Sequence, residues 1–130
     1  MLNSLTNILN TNYYFKGGLT MKTIGPNILA EKLRKNEEVV ILDVRAVEKY
    51  NDYHIKEENT DTINIEKSLI FALGDGGDES KIVLPKNKEI IVTCTTGNSA
   101  RKCAMILAEK EYNVILLEGG ITAWKEFKKG

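Results

Sequence analysis

Apolar residues follow two alternating patterns along the chain. Continuous apolar runs, rich in β-branched residues, occupy residues 39–42, 90–92 and 114–117, and the second lies within a predicted strand at residues 89–93. Such runs are typical of strands that are covered on both faces. Between the last two runs, residues 98–111 carry apolar side chains at helical spacing. The residues on that helical face are Ala100, Cys103, Ala104, Leu107 and Ala108. The alternation predicts an α/β fold with a mostly parallel sheet and helices on both faces.

Shorter segments complete this pattern. They predict strands at residues 22–24 and 62–65 and helices at residues 25–35 and 66–73, with a last helix after Gly119-Gly120. Pro26 suits the first turn of its helix, because proline lacks the N–H that would be unsatisfied there. We expect Trp124 and Phe127, in the last helix, to lie in the core.

The first twenty residues differ from the rest of the chain. They hold one charged side chain, Lys16, and four asparagines. They have neither the basic and apolar regions of a secretory signal nor the arginines of a mitochondrial presequence. Gly17-Gly18 then interrupts the chain, and Met21 is a candidate start. We predict a flexible or additional segment at residues 1–21 and one domain at residues 22–130.

Length and charge narrow the class of protein. The 130 residues fit one domain, and 18 basic residues balance 18 acidic ones. A neutral chain is not typical of proteins that bind nucleic acid or anionic membranes. No apolar run is long enough to span a bilayer. Two cysteines and one histidine are too few for a typical structural zinc site. We expect a cytoplasmic protein with free thiols and with no metal, nucleic-acid partner or membrane partner.

Candidate chemistry lies at the carboxyl ends of the predicted strands, where parallel sheets place their sites. The residues that follow three of these strands are Asp43, Cys94 and Glu118. Cys94 precedes a helix, and helix N-terminal amides attract an anion and favour a thiolate. A nucleophilic thiolate is one interpretation of Cys94; a buried, inert thiol is the other.

The residues after Cys94 suit an anion-binding turn. Gly97 permits a positive φ that directs backbone amides inward. Asn98 or Ser99 is expected to cap the following helix through its side chain. Cys103 lies on the apolar face of that helix, and we expect it to be a core residue rather than a second reactive thiol.

Three motifs together resemble a single-domain rhodanese, a sulfurtransferase. They are Ile-Leu-Asp-Val-Arg at residues 41–45, Cys-Thr-Thr-Gly-Asn-Ser-Ala-Arg at residues 94–101 and Glu-Gly-Gly-Ile-Thr-Ala-Trp at residues 118–124. The resemblance covers residues 23–127 in order and spacing. It implies a five-stranded, mostly parallel sheet with helices on both sides.

The resemblance also implies a reaction. Cys94 would take the outer sulfur of a small anionic donor such as thiosulfate, form a persulfide and pass the sulfur to a thiol or protein acceptor, without a cofactor. The implied substrate-binding residues are Thr95, Thr96, Gly97, Asn98, Ser99, Ala100 and Arg101, supported by Asp43 and Arg45. Asp43 is expected to accept backbone N–H groups, and Arg45 to pair with Glu48.

The sequence departs from the family pattern at three places. Ser99 stands where many members have arginine, which leaves Arg101 as the nearest basic residue. Ala100 replaces a hydroxyl residue. Tyr53 replaces a glycine, and the segment at residues 56–62 is longer than the family's turn, so we expect a reshaped loop near the site.

Two alternative functions remain open. One is a rhodanese-like module that carries sulfur or binds a protein without turnover. The other is a cysteine phosphatase or arsenate reductase. Those enzymes place arginine six residues after the cysteine, where this chain has Ala100.

Overall fold

The chain folds around one central sheet. The computed structural model describes residues 11–16 and 19–130. The strands are β1 (Thr11–Lys16), β2 (Leu19–Ile24), β3 (Val39–Asp43), β4 (Thr60–Asn64), β5 (Ile90–Thr93) and β6 (Val114–Leu117). Their order in the sheet is β1-β2-β6-β5-β3-β4. Strands β2 to β6 are parallel, and β1 runs antiparallel to β2.

Helices alternate with the parallel strands. They are α1 (Pro26–Arg34), α2 (Val47–Asp52), α3 (Lys67–Gly74), α4 (Asn98–Glu109) and α5 (Gly120–Lys129), with a short 3₁₀ helix at Glu79–Lys81. The predicted α/β fold, with five parallel strands between helices, is confirmed.

Both faces of the sheet are buried at β3, β5 and β6, which explains the continuous apolar runs. In β3, Val40 and Leu42 pack into a cluster with apolar residues of α3 and α4. Val39 and Ile41 point to the opposite face and pack with apolar residues of α1 and α5. Trp124 of α5 is 1% exposed in this second cluster. The prediction that Trp124 lies in the core is therefore confirmed.

Phe127 is not a core residue, contrary to the expectation. Its side chain is 40% exposed, and its ring lies at the margin of the core, 6.2 Å from the Trp124 ring. The helical spacing from Trp124 brings Phe127 close to the apolar stripe, but α5 ends two residues later. The last turn of α5 therefore leaves this ring partly in solvent.

The predicted N-terminal segment, residues 1–21, falls only in part within the described residues. Residues 1–10 and 17–18 lie outside them. Strand β1 pairs along its length with β2, from Thr11 opposite Ile24 to Lys16 opposite Leu19. Strand β2 thus begins three residues before the predicted strand. In the parts of the chain that the structure describes, no helix is long and apolar enough to cross a membrane.

The strand order brings three loops to one edge of the sheet. Strand β3 lies between β4 and β5 and is parallel to both. The segments that follow these three strands therefore meet beyond their carboxyl ends, where Cys94 follows β5. The long segment at residues 56–62 lies at the opposite edge, because β4 begins at Thr60, which pairs with the first residue of β3. The expected reshaping of a loop near the site by this segment is wrong.

Candidate active site

Two backbone amides converge on the Cys94 sulfur. The N–H of Gly97 donates to Sγ at 3.1 Å and the N–H of Ala100 donates to Sγ at 3.3 Å. The cysteine is 6% exposed. The turn after β5 therefore folds back over its own first residue and gives the sulfur two hydrogen-bond donors.

The expected side-chain cap of α4 by Asn98 or Ser99 is wrong. Gly97 occupies the N-cap position, with φ of 106°, and as a glycine it offers no side chain to accept a cap hydrogen bond. The amide of Ala100, the third residue of the helix, is one that a capping oxygen ordinarily satisfies. Here Cys94 Sγ accepts it instead. The nucleophile candidate is thus also the cap of the helix.

The third motif, at residues 118–124, fixes the backbone of the turn that follows β5 and contains Cys94. At the start of α5, the N–H of Ile121 donates to the Cys94 carbonyl at 2.8 Å, and the N–H of Thr122 donates to the Thr95 carbonyl at 3.0 Å. A Cβ at Gly120, where φ is +60°, would collide with those two carbonyl oxygens. Glycine at this position therefore allows α5 to approach the turn.

Asp43 and Arg45 form a buried ion pair. Asp43 is 0% exposed and Arg45 9% exposed. The carboxylate accepts the Arg45 backbone N–H at 3.0 Å and the guanidinium at 2.7 Å. Arg45 Nη2 also donates to the Tyr53 carbonyl at 2.6 Å. Asp43 thus accepts a backbone N–H of the turn after β3, as expected. The predicted pairing of Arg45 with Glu48 is wrong, since the buried carboxylate of Asp43 takes the guanidinium.

A cavity of about 350 Å³ opens beside Cys94. Its lining residues are Val44, Arg45, Ala46, Lys49, Lys67, Cys94, Thr95, Thr96, Asn98 and Ser99. The structure thus brings most of the predicted loop to one cavity. Gly97 and Ala100 contribute through their amides, whereas Asp43 and Arg101 are not among the lining residues.

Lys49 and Lys67 are cavity residues that the sequence reasoning missed. Lys49 lies on α2, and Lys67 is the first residue of α3. Parallel sheets place their sites at the carboxyl ends of strands, and this applies to β4 as well as to β3, β5 and β6. Strand β4 ends at Asn64, and Lys67 follows it within three residues.

Cys103 is a core residue, as predicted, with 0% exposure. Burial is the main cause that raises the pKa of the Cys103 thiol to about 12, and the charge of Cys94 adds to it. Lys67 and Lys102 oppose the shift. Cys103 therefore stays a neutral thiol near neutral pH.

Comparison with known proteins gives a consistent picture. The family model of the Rhodanese-like domain matches residues 26–127. In Bacillus subtilis, the protein named "Putative sulfurtransferase YtwF" is 25% identical over 107 residues, covering 82% of this chain and 93% of that protein.

Solved structures show the same architecture. A rhodanese-related protein from Thermoplasma volcanium is 28% identical with a TM-score of 0.64, covering 81% of this chain and 91% of its own. A rhodanese-like domain protein from Staphylococcus aureus is 26% identical with a TM-score of 0.62, covering 80% and 91%.

Proposed function

Because the chain belongs to the Rhodanese-like domain family, we propose that it is a sulfurtransferase whose sulfur is carried by Cys94. The name of its Bacillus subtilis relative supports this class of activity. The observation that carries the proposal is the pair of amides, from Gly97 and Ala100, that donate to Cys94 Sγ beside the cavity.

The first step loads sulfur on to the enzyme. The Cys94 thiolate attacks the outer sulfur of thiosulfate, a new S–S bond forms, and the donor's S–S bond breaks. Sulfite leaves with the electron pair of the broken bond. Cys94 is then a persulfide with a negatively charged terminal sulfur, so the step needs no external oxidant and no proton transfer.

The second step transfers the sulfur from Cys94 to an acceptor. A thiophilic acceptor such as cyanide, or a thiol of a small molecule or protein, attacks the terminal sulfur. The persulfide S–S bond breaks, and its electron pair returns to Cys94 as thiolate. With cyanide the product is thiocyanate. Because the enzyme alternates between two covalent forms, the kinetics are expected to be ping-pong.

The turn supports the thiolate form of Cys94. Preorganised amides stabilise a negative charge without the reorganisation that water would need. The amides of Gly97 and Ala100 point at Sγ already. The sole histidine takes no part in the proposal: His54 Nδ1 lies 2.8 Å from the Tyr50 carbonyl, and its ring stacks on Tyr50.

Steady-state kinetics with thiosulfate and cyanide test the proposal. Double-reciprocal plots at several cyanide concentrations should be parallel for the wild type and for Cys103→Ala. Cys94→Ser should show no turnover. A Cys94→Ser protein that keeps thiosulfate turnover would overturn the proposal. Cys94-dependent hydrolysis of a phosphate ester in place of sulfur transfer would also overturn it, in favour of a phosphatase.

A further inference from the structure

Unneutralised positive charge faces the cavity beside Cys94. Three basic residues line it, Arg45, Lys49 and Lys67, and no carboxylate does. Asp43 already compensates Arg45. In the part of the chain that the structure describes, neither lysine has a carboxylate within ion-pair distance. Two ammonium groups therefore remain available to a bound anion.

The backbone around Lys67 is fixed to the turn after β3. The N–H of Lys67 donates to the Val44 carbonyl at 3.0 Å, and the N–H of Ile65 donates to the Asp43 carbonyl at 3.1 Å. The Asn64 amide spans the same turn, donating to the Asp43 carbonyl at 2.9 Å and the Arg45 carbonyl at 3.0 Å. The first residue of α3 is thus held at the rim of the cavity.

The Lys67 ammonium reaches the cysteine turn. Its Nζ lies 3.5 Å from Ser99 Oγ, in the first turn of α4. A contact of that length is weak, and an ammonium has three donors, so Lys67 keeps capacity for a ligand. Ser99 is the position at which the family pattern often has arginine. In this chain the positive charge beside that position belongs to Lys67, which lies on another helix.

We propose that Lys67, assisted by Lys49, is the specificity-determining residue that selects small anionic donors for Cys94. The proposal rests on the proposed sulfur transfer. It assigns recognition of the donor to residues of α3 and α2 rather than to Arg101. The donor class is one whose leaving group carries oxyanion or carboxylate charge. That group receives the electron pair when the donor's S–S bond breaks, so the nearby ammonium favours its departure as well as its binding.

Charge-dependent alkylation tests the proposal without any sulfur donor. Iodoacetate and iodoacetamide alkylate the same thiolate, but only iodoacetate is an anion. Their ratio of rate constants at Cys94, located by peptide mapping, cancels changes in thiol reactivity. Lys67→Gln should lower this ratio about two- to fivefold, the size expected for one exposed charge pair. Lys49→Gln should lower it less.

Lys110→Gln is the matched control. Lys110 follows α4 at the end remote from Cys94, about 18 Å along the helix axis. That distance exceeds the screening length of about 10 Å at 0.1 M salt, so the ratio should stay at the wild-type value. An unchanged ratio in Lys67→Gln, or an equal fall in Lys110→Gln, would overturn the proposal.

A kinetic experiment ties the charge to the reaction. Lys67→Gln should raise KM for thiosulfate several-fold while the dependence on cyanide, in the second step, keeps its wild-type value. If the wild type transfers no sulfur at all, the proposed function fails, yet the alkylation ratio still reports on Lys67. If sulfur transfer is intact and neither KM nor the ratio responds, only the role of Lys67 fails.

Discussion

The backbone N–H of Ala100 donates to Cys94 Sγ at 3.3 Å, in the position of a helix-capping hydrogen bond. One sulfur atom therefore has two tasks. It accepts a hydrogen bond from a backbone amide in the first turn of α4 that would otherwise be unsatisfied. It is also the atom that lies beside the cavity. The same geometry that stabilises the helix supplies the donors that a sulfur anion needs.

Removing the acceptor at position 94 should destabilise the fold more than replacing it. Cys94→Ala leaves the amides of Gly97 and Ala100 without their partner, at a cost of about 0.5–2 kcal/mol, the range for a lost helix cap. Cys94→Ser keeps an acceptor oxygen and should recover part of that loss. Urea unfolding of the three proteins gives the difference. Equal stability of Cys94→Ala and the wild type would show that the sulfur does not cap α4.

Gly120→Ala should disrupt the active turn as well as the fold. The added Cβ would strike the carbonyls of Cys94 and Thr95, which accept hydrogen bonds from α5. Small displacements of a reactive group reduce rates steeply, so sulfur transfer should fall about tenfold or more.

Gly76→Ala is the control for Gly120→Ala. Its φ is also positive, +91°, but a Cβ there meets nothing within 4 Å. It should carry the conformational cost of a positive φ, about 1–3 kcal/mol, without loss of turnover at temperatures where the protein is folded. Equal losses of turnover in both variants would indicate general destabilisation and contradict the contact between α5 and the turn.

Asp43→Asn should be strongly destabilising. It leaves the guanidinium of Arg45 buried without its counter-charge, and breaking a buried pair in this way costs about 3–5 kcal/mol. Glu31→Gln breaks the exposed pairs with Arg34 and Lys35 and should cost no more than about 1 kcal/mol. Chemical unfolding compares the two. Similar small losses would mean that Asp43 and Arg45 do not hold the turn.

The buried thiol of Cys103 should make stability fall at alkaline pH. Its pKa is raised from 9.0 to about 12 by burial, so folding keeps it protonated while the unfolded chain loses the proton. The contribution is full below pH 9 and is lost as the pH rises towards 12. The difference in unfolding free energy between the wild type and Cys103→Ala, followed over this range, should therefore shrink. A constant difference would contradict the raised pKa.

Much of the fold follows from local sequence. The apolar runs of β3, β5 and β6 predict strands covered on both faces because such runs have no polar side to expose to water. The helical face that holds Cys103 follows in the same way. The prediction that Phe127 lies in the core is wrong because helical spacing shows which face of a helix a residue occupies. It does not show where along the helix the core ends.

The cavity was harder to predict, since it depends on which strands are neighbours. Lys67 reaches the Cys94 turn only because β4 and β5 lie on either side of β3. Arg101 is close to Cys94 in sequence, yet it does not line the cavity. The cap of α4 is hard to predict for a related reason. Capping rules are based on side-chain oxygens, and they name Asn98 or Ser99. The acceptor is instead the Cys94 sulfur, which the positive φ of Gly97 brings back over the helix end.

Intact-mass measurement after incubation with thiosulfate tests the central claim most directly. The wild type and Cys103→Ala should each gain the mass of one sulfur atom, Cys94→Ser should gain none, and cyanide should remove the added sulfur as thiocyanate. A loaded wild type that cyanide fails to discharge would contradict turnover and indicate a sulfur carrier. A wild type that gains no sulfur, or a Cys94→Ser protein that does, would contradict a Cys94 persulfide.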